Sequence, residues 1–155
     1  MTVGELLRDF ASALPPDARP AVPTRSPSLG LPCRGVTHDS RRVQTGSVFV
    51  ALRGLKSDGV DFVPQAVAAG AAAIVAERAQ GSPVDVPWVV VKDARLALAW
   101  LAAEFFGHPS RDMPVVGITG TNGKTTTGYV LSSVFEAAGM RCGLMGTVVY
   151  RVGER

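Results

Sequence analysis

Between Gly117 and Thr126 the chain reads GITGTNGKTT, with the apolar run MPVV before it and a helix-forming sequence after it. Holding a phosphate requires backbone N–H groups aimed at one point and the positive end of a helix. Gly120 and Gly123 permit a tight, inward-facing backbone that a Cβ would obstruct. Lys124 is placed to neutralise β- and γ-phosphate charge, and the Thr125 hydroxyl to ligate Mg²⁺ at the start of the helix. Thr126 can donate to a further phosphate oxygen, and Thr121 and Asn122 complete the loop. The stretch departs from the pattern G-x-x-x-x-G-K-[ST], because Ile118 stands where the first glycine belongs. The expected ligands are ATP and Mg²⁺. The plain alternative is a glycine turn with a solvated lysine.

Such a loop needs a strand to lead in and a helix to lead out. VVGIT predicts a buried strand, KTTTGYVLSSVFEAAG a helix ending at Gly139, and CGLMGTVVY a further extended run. Upstream, Thr2 and Glu5 have the spacing of a capping box, and Val3, Leu6, Leu7, Phe10 and Leu14 recur at helical intervals until Pro15-Pro16. SVFVAL, AAIVAE and WVVV read as strands. DFVPQAVAAG reads as a helix capped by Asp61, and DARLALAWLAAEFFG as one capped by Asp93 and closed by Gly107. Alternating strands and helices predict an α/β fold with a largely parallel sheet.

The composition of HPSRDMP marks a boundary near residue 112. Residues 113–155 then hold one strand–loop–helix–strand unit, too little to be stable alone, so the sequence reads as a fragment of a longer protein.

Composition narrows the class. With 155 residues, 46% of them hydrophobic, the chain can bury a core. Sixteen basic against 13 acidic residues give +3 without a basic cluster, which suits a small anionic ligand and argues against nucleic acid. Cys33 and Cys142 have no metal-like spacing and read as reduced thiols. Glu5 and Asp9 interrupt any secretory signal. The longest apolar run, Ala66–Ala76, falls well short of the roughly 20 residues of a membrane span. A soluble, cytoplasmic monomer is expected.

GITGTNGKTTT resembles the ATP loop of the Mur ligases, the enzymes that build the peptidoglycan stem peptide. THDSRRVQTGSVFVALRGLKSDGVDFVPQAVAAGAAAIVAE resembles the sugar-nucleotide domain of the third and fourth amino-acid-adding members. FFGHPSR and GLMGTVVYRVG are similar to the third, tripeptide-forming branch. The fourth usually has a serine-containing loop where this chain has Thr121-Asn122. The resemblance implies a Rossmann-like UDP-sugar-binding domain over residues 1–112, followed at 113–155 by the incomplete start of a P-loop α/β ATPase domain. It implies ATP-dependent amide ligation through an acyl phosphate. The substrates would be UDP-N-acetylmuramoyl-L-alanyl-D-glutamate and a diamino acid: meso-2,6-diaminopimelate first, with lysine and ornithine open. By position, Ser40 falls on the substrate-contacting serine and His38 on the uracil pocket. Leu55, Lys56 and Ser57 fall on the loop that closes over the nucleotide, and Lys124 carries the catalytic charge. Asp39 and Arg41 flank the turn as an acid and a base that can satisfy each other. Two alternatives stay open: a stand-alone UDP-sugar or ATP-binding module, and the sibling ligase that adds D-Ala-D-Ala.

Overall fold

In a computed structural model, which describes residues 1–54, 57–81, 83–148 and 150–152, the chain forms two compact units, Met1–Asp112 and Met113–Arg155. Helix α1 (Val3–Ala13) opens the first. Thr2 Oγ1 accepts from the Glu5 amide at 3.2 Å, and a Glu5 carboxylate oxygen accepts from the Thr2 amide at 2.6 Å. Val3, Leu6, Leu7 and Phe10 lie on the buried face, as their spacing predicts.

The sheet holds β1 (Gly35–Thr37), β2 (Ser47–Ala51), β3 (Ala71–Ala76) and β4 (Trp88–Val90), all parallel and in chain order. β2 and β3 are buried at every position, because helices cover both faces of the sheet. Alternation divides the strand residues between two cores. Val48, Val50, Ala73, Val75 and Val89 pack with α1 and with α3 (Ala94–Phe106). Phe49, Ala51, Ile74 and Ala76 pack with Val43 and with Val63 and Ala66 of α2 (Val63–Ala68). Ser47 pairs with Ala71 but Val48 with Ala73, so Ala72 is an extra residue in the ladder. That bulge puts Ala72 and Ala73, neighbours in sequence, into the same core.

Helix α3 begins as its sequence predicts, with Asp93 Oδ1 accepting from the Leu96 amide at 2.9 Å. The expected cap at Asp61 is not formed. Asp58 instead accepts from the Val60 amide at 3.0 Å and starts a 3₁₀ turn, Gly59–Phe62, that runs directly into α2. The turn already satisfies the first amides, leaving Asp61 exposed and without a capping role.

The second unit holds α4 (Lys124–Ala137) and an antiparallel hairpin of β5 (Gly143–Met145) and β6 (Tyr150–Val152). Arg151 ties the hairpin to the helix by donating to Ser132 Oγ at 3.0 Å and to the Glu136 carboxylate. The expected strand VVGIT is absent: Pro114–Thr119 is irregular, and Val115 is 73% exposed. A strand exists only through its ladder, and among the described residues none lies beside this segment. The observed unit is therefore a loop, a helix and a hairpin rather than strand–loop–helix–strand.

Candidate functional site

Because β1–β4 are parallel, their carboxyl ends share one rim, where open α/β sheets hold ligands. A cleft of about 450 Å³ opens on it, lined by His38, Asp39, Ser40, Arg41, Phe62 and Gln65. His38 to Arg41 follow β1, and Phe62 and Gln65 bracket the start of α2.

Asp39 organises the turn after β1. Its Oδ1 accepts from the Arg41 amide at 3.0 Å, and its two oxygens take the Arg41 guanidinium at 2.9 and 2.8 Å. The guanidinium's hydrogen bonds hold the Asp39 carboxyl down at about 2. The expected acid–base pair is thus formed, and the cation is neutralised within the cleft wall. Ser40 is buried and donates its hydroxyl hydrogen to Gln65 Oε1 at 2.9 Å, while the Gln65 side chain is otherwise open to solvent. Phe62 is 42% exposed and offers the cleft a flat apolar face.

The structure brings His38 and Ser40 together. Ser57 stands on the loop leaving β2, where its carbonyl accepts from the Gly54 amide at 3.0 Å, and it does not line this cleft. Leu55 and Lys56 lie outside the described residues. Sequence reasoning missed Phe62 and Gln65.

A second cleft of about 400 Å³ on the same rim is lined by Ala51, Arg53, Asp58, Val60, Glu77, Arg78 and Lys92. Its carboxylates are committed to the fold: Asp58 to the Val60 amide, and Glu77 to the Ala94 amide at 2.9 Å.

In the second unit Gly120 (φ +145°) and Gly123 (φ +75°) adopt backbone conformations that side chains disfavour. The reason for glycine differs from the one expected. A Cβ at Gly123 would meet nothing within 4 Å, and one at Gly120 only Asn122 O at 3.7 Å, so conformation rather than space selects glycine. Gly123 caps α4 without a side chain, and the helical ladder begins with the Thr127 amide donating to Gly123 O at 2.8 Å. The amides of Lys124, Thr125 and Thr126 precede that bond and point out of the helix start. No acidic residue sits in this first turn. Lys124 Nζ curls back over the loop, donating to Gly120 O at 2.5 Å and to Thr121 O at 3.4 Å. Thr121, Asn122, Thr125 and Thr126 are exposed around it.

The residue types of this segment suit a polyphosphate: uncapped helix-start amides, exposed hydroxyls and an ammonium, with no acidic residue in the first turn of α4. They suit a hard divalent cation only in part. Thr125 would offer a single oxygen ligand, and no cluster of three or more His, Cys, Asp or Glu occurs among the described residues.

Comparison with known proteins bears on both units. A family profile described as "Mur ligase family, catalytic domain" matches residues 32–106. The UDP-N-acetylmuramyl-tripeptide synthetase of Roseiflexus sp. (strain RS-1) is 50% identical over 134 residues, covering 86% of this chain and 26% of the relative. The UDP-N-acetylmuramoyl-L-alanyl-D-glutamate–2,6-diaminopimelate ligase of Geobacter metallireducens is 45% identical, covering 83% and 25%. The crystal structure of MurF from Acinetobacter baumannii superposes with a TM-score of 0.61 at 27% identity, covering 88% of this chain and 28% of that one. The chain spans about a quarter of the length of the curated relatives it matches.

Proposed function

The chain belongs to the Mur ligase family, and from that membership we propose that its two units are the sugar-nucleotide-binding and ATP-binding parts of an amide ligase of peptidoglycan synthesis. In this reading residues 1–112 hold the uridine end of UDP-N-acetylmuramoyl-L-alanyl-D-glutamate. The loop Gly120–Thr126 begins the site for ATP. The complete enzyme adds a diamino acid, meso-2,6-diaminopimelate, to the D-glutamate. Relatives named for the tripeptide-forming and diaminopimelate-adding reactions support this choice over the sibling that adds D-Ala-D-Ala.

The chemistry suits the loop. A carboxylate is a poor electrophile, so the ligase first phosphorylates the D-glutamate carboxylate; an amine of the diamino acid then displaces phosphate to leave an amide. ATP with Mg²⁺ supplies the transferred group and part of the neutralising charge. Lys124 contributes a compact ammonium at the loop, and the α4 amides contribute fixed dipoles that need no rearrangement during transfer. Thr125 can give one hydroxyl ligand to the metal, whose other ligands would come from phosphate oxygens, water and protein groups outside the described residues. His38, Ser40 and Ser57 are proposed to act at the substrate end. Leu55 and Lys56 belong to the same reading by position alone.

The observation that carries this reading is the loop itself: two positive-φ glycines lead into an α4 start with no side-chain cap, and Lys124 Nζ folds back over the Gly120 and Thr121 carbonyls. Lys124→Ala in the complete ligase is expected to lower kcat at least about a hundredfold, near 2.7 kcal/mol. Its melting temperature should barely move, since the side chain is exposed. Lys124→Arg should not restore the rate, because a planar fork cannot replace a compact ammonium there. A near-normal kcat in Lys124→Ala would remove the reading.

A further inference from the structure

The cleft on the rim of the first unit is built for a neutral ring rather than for an anion. Its one guanidinium, on Arg41, is held by both oxygens of Asp39. Its widest apolar surface is the exposed ring of Phe62. Ser40, the residue expected to meet the substrate, is buried, and the single hydrogen of its hydroxyl is committed to Gln65 Oε1 at 2.9 Å. A hydroxyl so engaged has no hydrogen left for a phosphate oxygen. The Gln65 amide nitrogen and the second lone pair of Oε1 remain available. A carboxamide matches the edge of uracil, donating to a ring carbonyl while accepting from the ring N–H, and an aromatic face beside it can stack on the base.

We propose that Gln65 is the base-contacting residue of this cleft, with Phe62 as its stacking wall, and that Ser40 is a positioning residue acting through Gln65 rather than a donor to the diphosphate. This rests on the reading of the first unit as a uridine-nucleotide site. It deepens that reading by assigning Ser40 an indirect role at the base end of the ligand. Ser40 fixes where the amide stands, so its loss loosens the base contact whatever is attached to the ribose.

The test is binding of uridine and of UDP to the 155-residue chain, followed by NMR titration, for the wild type, Ser40→Ala, Gln65→Ala and the double variant. Losing one neutral hydrogen bond corresponds to about fivefold in affinity. Each single variant should therefore weaken uridine and UDP to an equal extent, Ser40→Ala by about fivefold and Gln65→Ala, which loses both base contacts, by about 25-fold. The double variant should be little worse than Gln65→Ala alone, because Ser40 works through that amide. Gln65 is exposed, so its variant keeps the test open even if Ser40→Ala perturbs the fold. Should Ser40→Ala weaken UDP and leave uridine unchanged, Ser40 is a phosphate donor and the inference is overturned while the nucleotide reading stands. Failure of the wild type to bind either ligand would overturn both.

Discussion

Asp39 and Arg41 are two residues apart, and their pairing sets the charge of the cleft wall. Asp39 has a folded-state value depressed from the ordinary 3.8 to about 2, so the folded chain binds its proton less readily than the unfolded one. The stability from this pair is present above the ordinary value and lost as the pH falls from about 4 through about 2. An NMR titration of the Asp39 carboxyl carbon should give a midpoint near 2. A midpoint near 4 would mean that the pair does not persist in solution. Legibility at this scale followed chemistry. The Asp39–Arg41 pair could be read because an acid and a base flanking a turn satisfy each other, and the need for glycine at 120 and 123 from the loop pattern. Phe62 and Gln65 were invisible, since within an apolar helical pattern an aromatic residue and an amide carry no signature until the chain folds them onto Ser40.

Gly59 shows how closely the elements are fitted. A Cβ built there would stand 2.5 Å from Leu52 N, 2.7 Å from Leu52 O and 2.8 Å from Ala51 C, all backbone atoms that no rotamer change can move. The Gly59 amide also donates to Leu52 O at 2.9 Å, holding the turn against the end of β2. Gly59→Ala should cost about 1–3 kcal/mol and lower the melting temperature by about 4 °C or more. A melt unchanged within error would show that the turn can lift off the strand freely. Elements written in local code were legible: the capping box at Thr2, the cap at Asp93, and the β-branched and aromatic run of β2. The cap of the turn before α2 was misread because Asp58 and Asp61 offer the same chemistry, and only the path of the chain after β2 chooses between them. The segment at Val115 failed for another reason. Its composition suits a strand, yet strand formation depends on a neighbour that its own sequence does not contain.

Across the molecule, apolar burial is concentrated in the first unit. Every residue of β2 and β3 is buried, whereas α4 buries only Gly128 and Ser132. Hydrogen exchange on the 155-residue chain should therefore find β2 and β3 amides opening only with global unfolding. Those of α4 and the hairpin should exchange at least about tenfold faster. Equal protection in the two units would show that the exposed valines and tyrosines of the second are covered in solution. The bulge at Ala72 has a separate consequence, for tolerance to changes in chain length. Removing one residue from inside a regular strand turns everything beyond it to the wrong face. In the run Ala71–Ala73 the opposite holds. Deleting one alanine would leave Ser47 opposite an alanine and Val48 opposite the next, restoring an unbroken ladder with Ile74 and Val75 still facing their own cores. The same deletion at Val75 would exchange the two faces of the strand's end. The three alanines thus act as slack in the chain, the one place in this strand where a codon can be lost without scrambling the interior, and the two deletion variants should differ sharply in soluble yield and melting temperature.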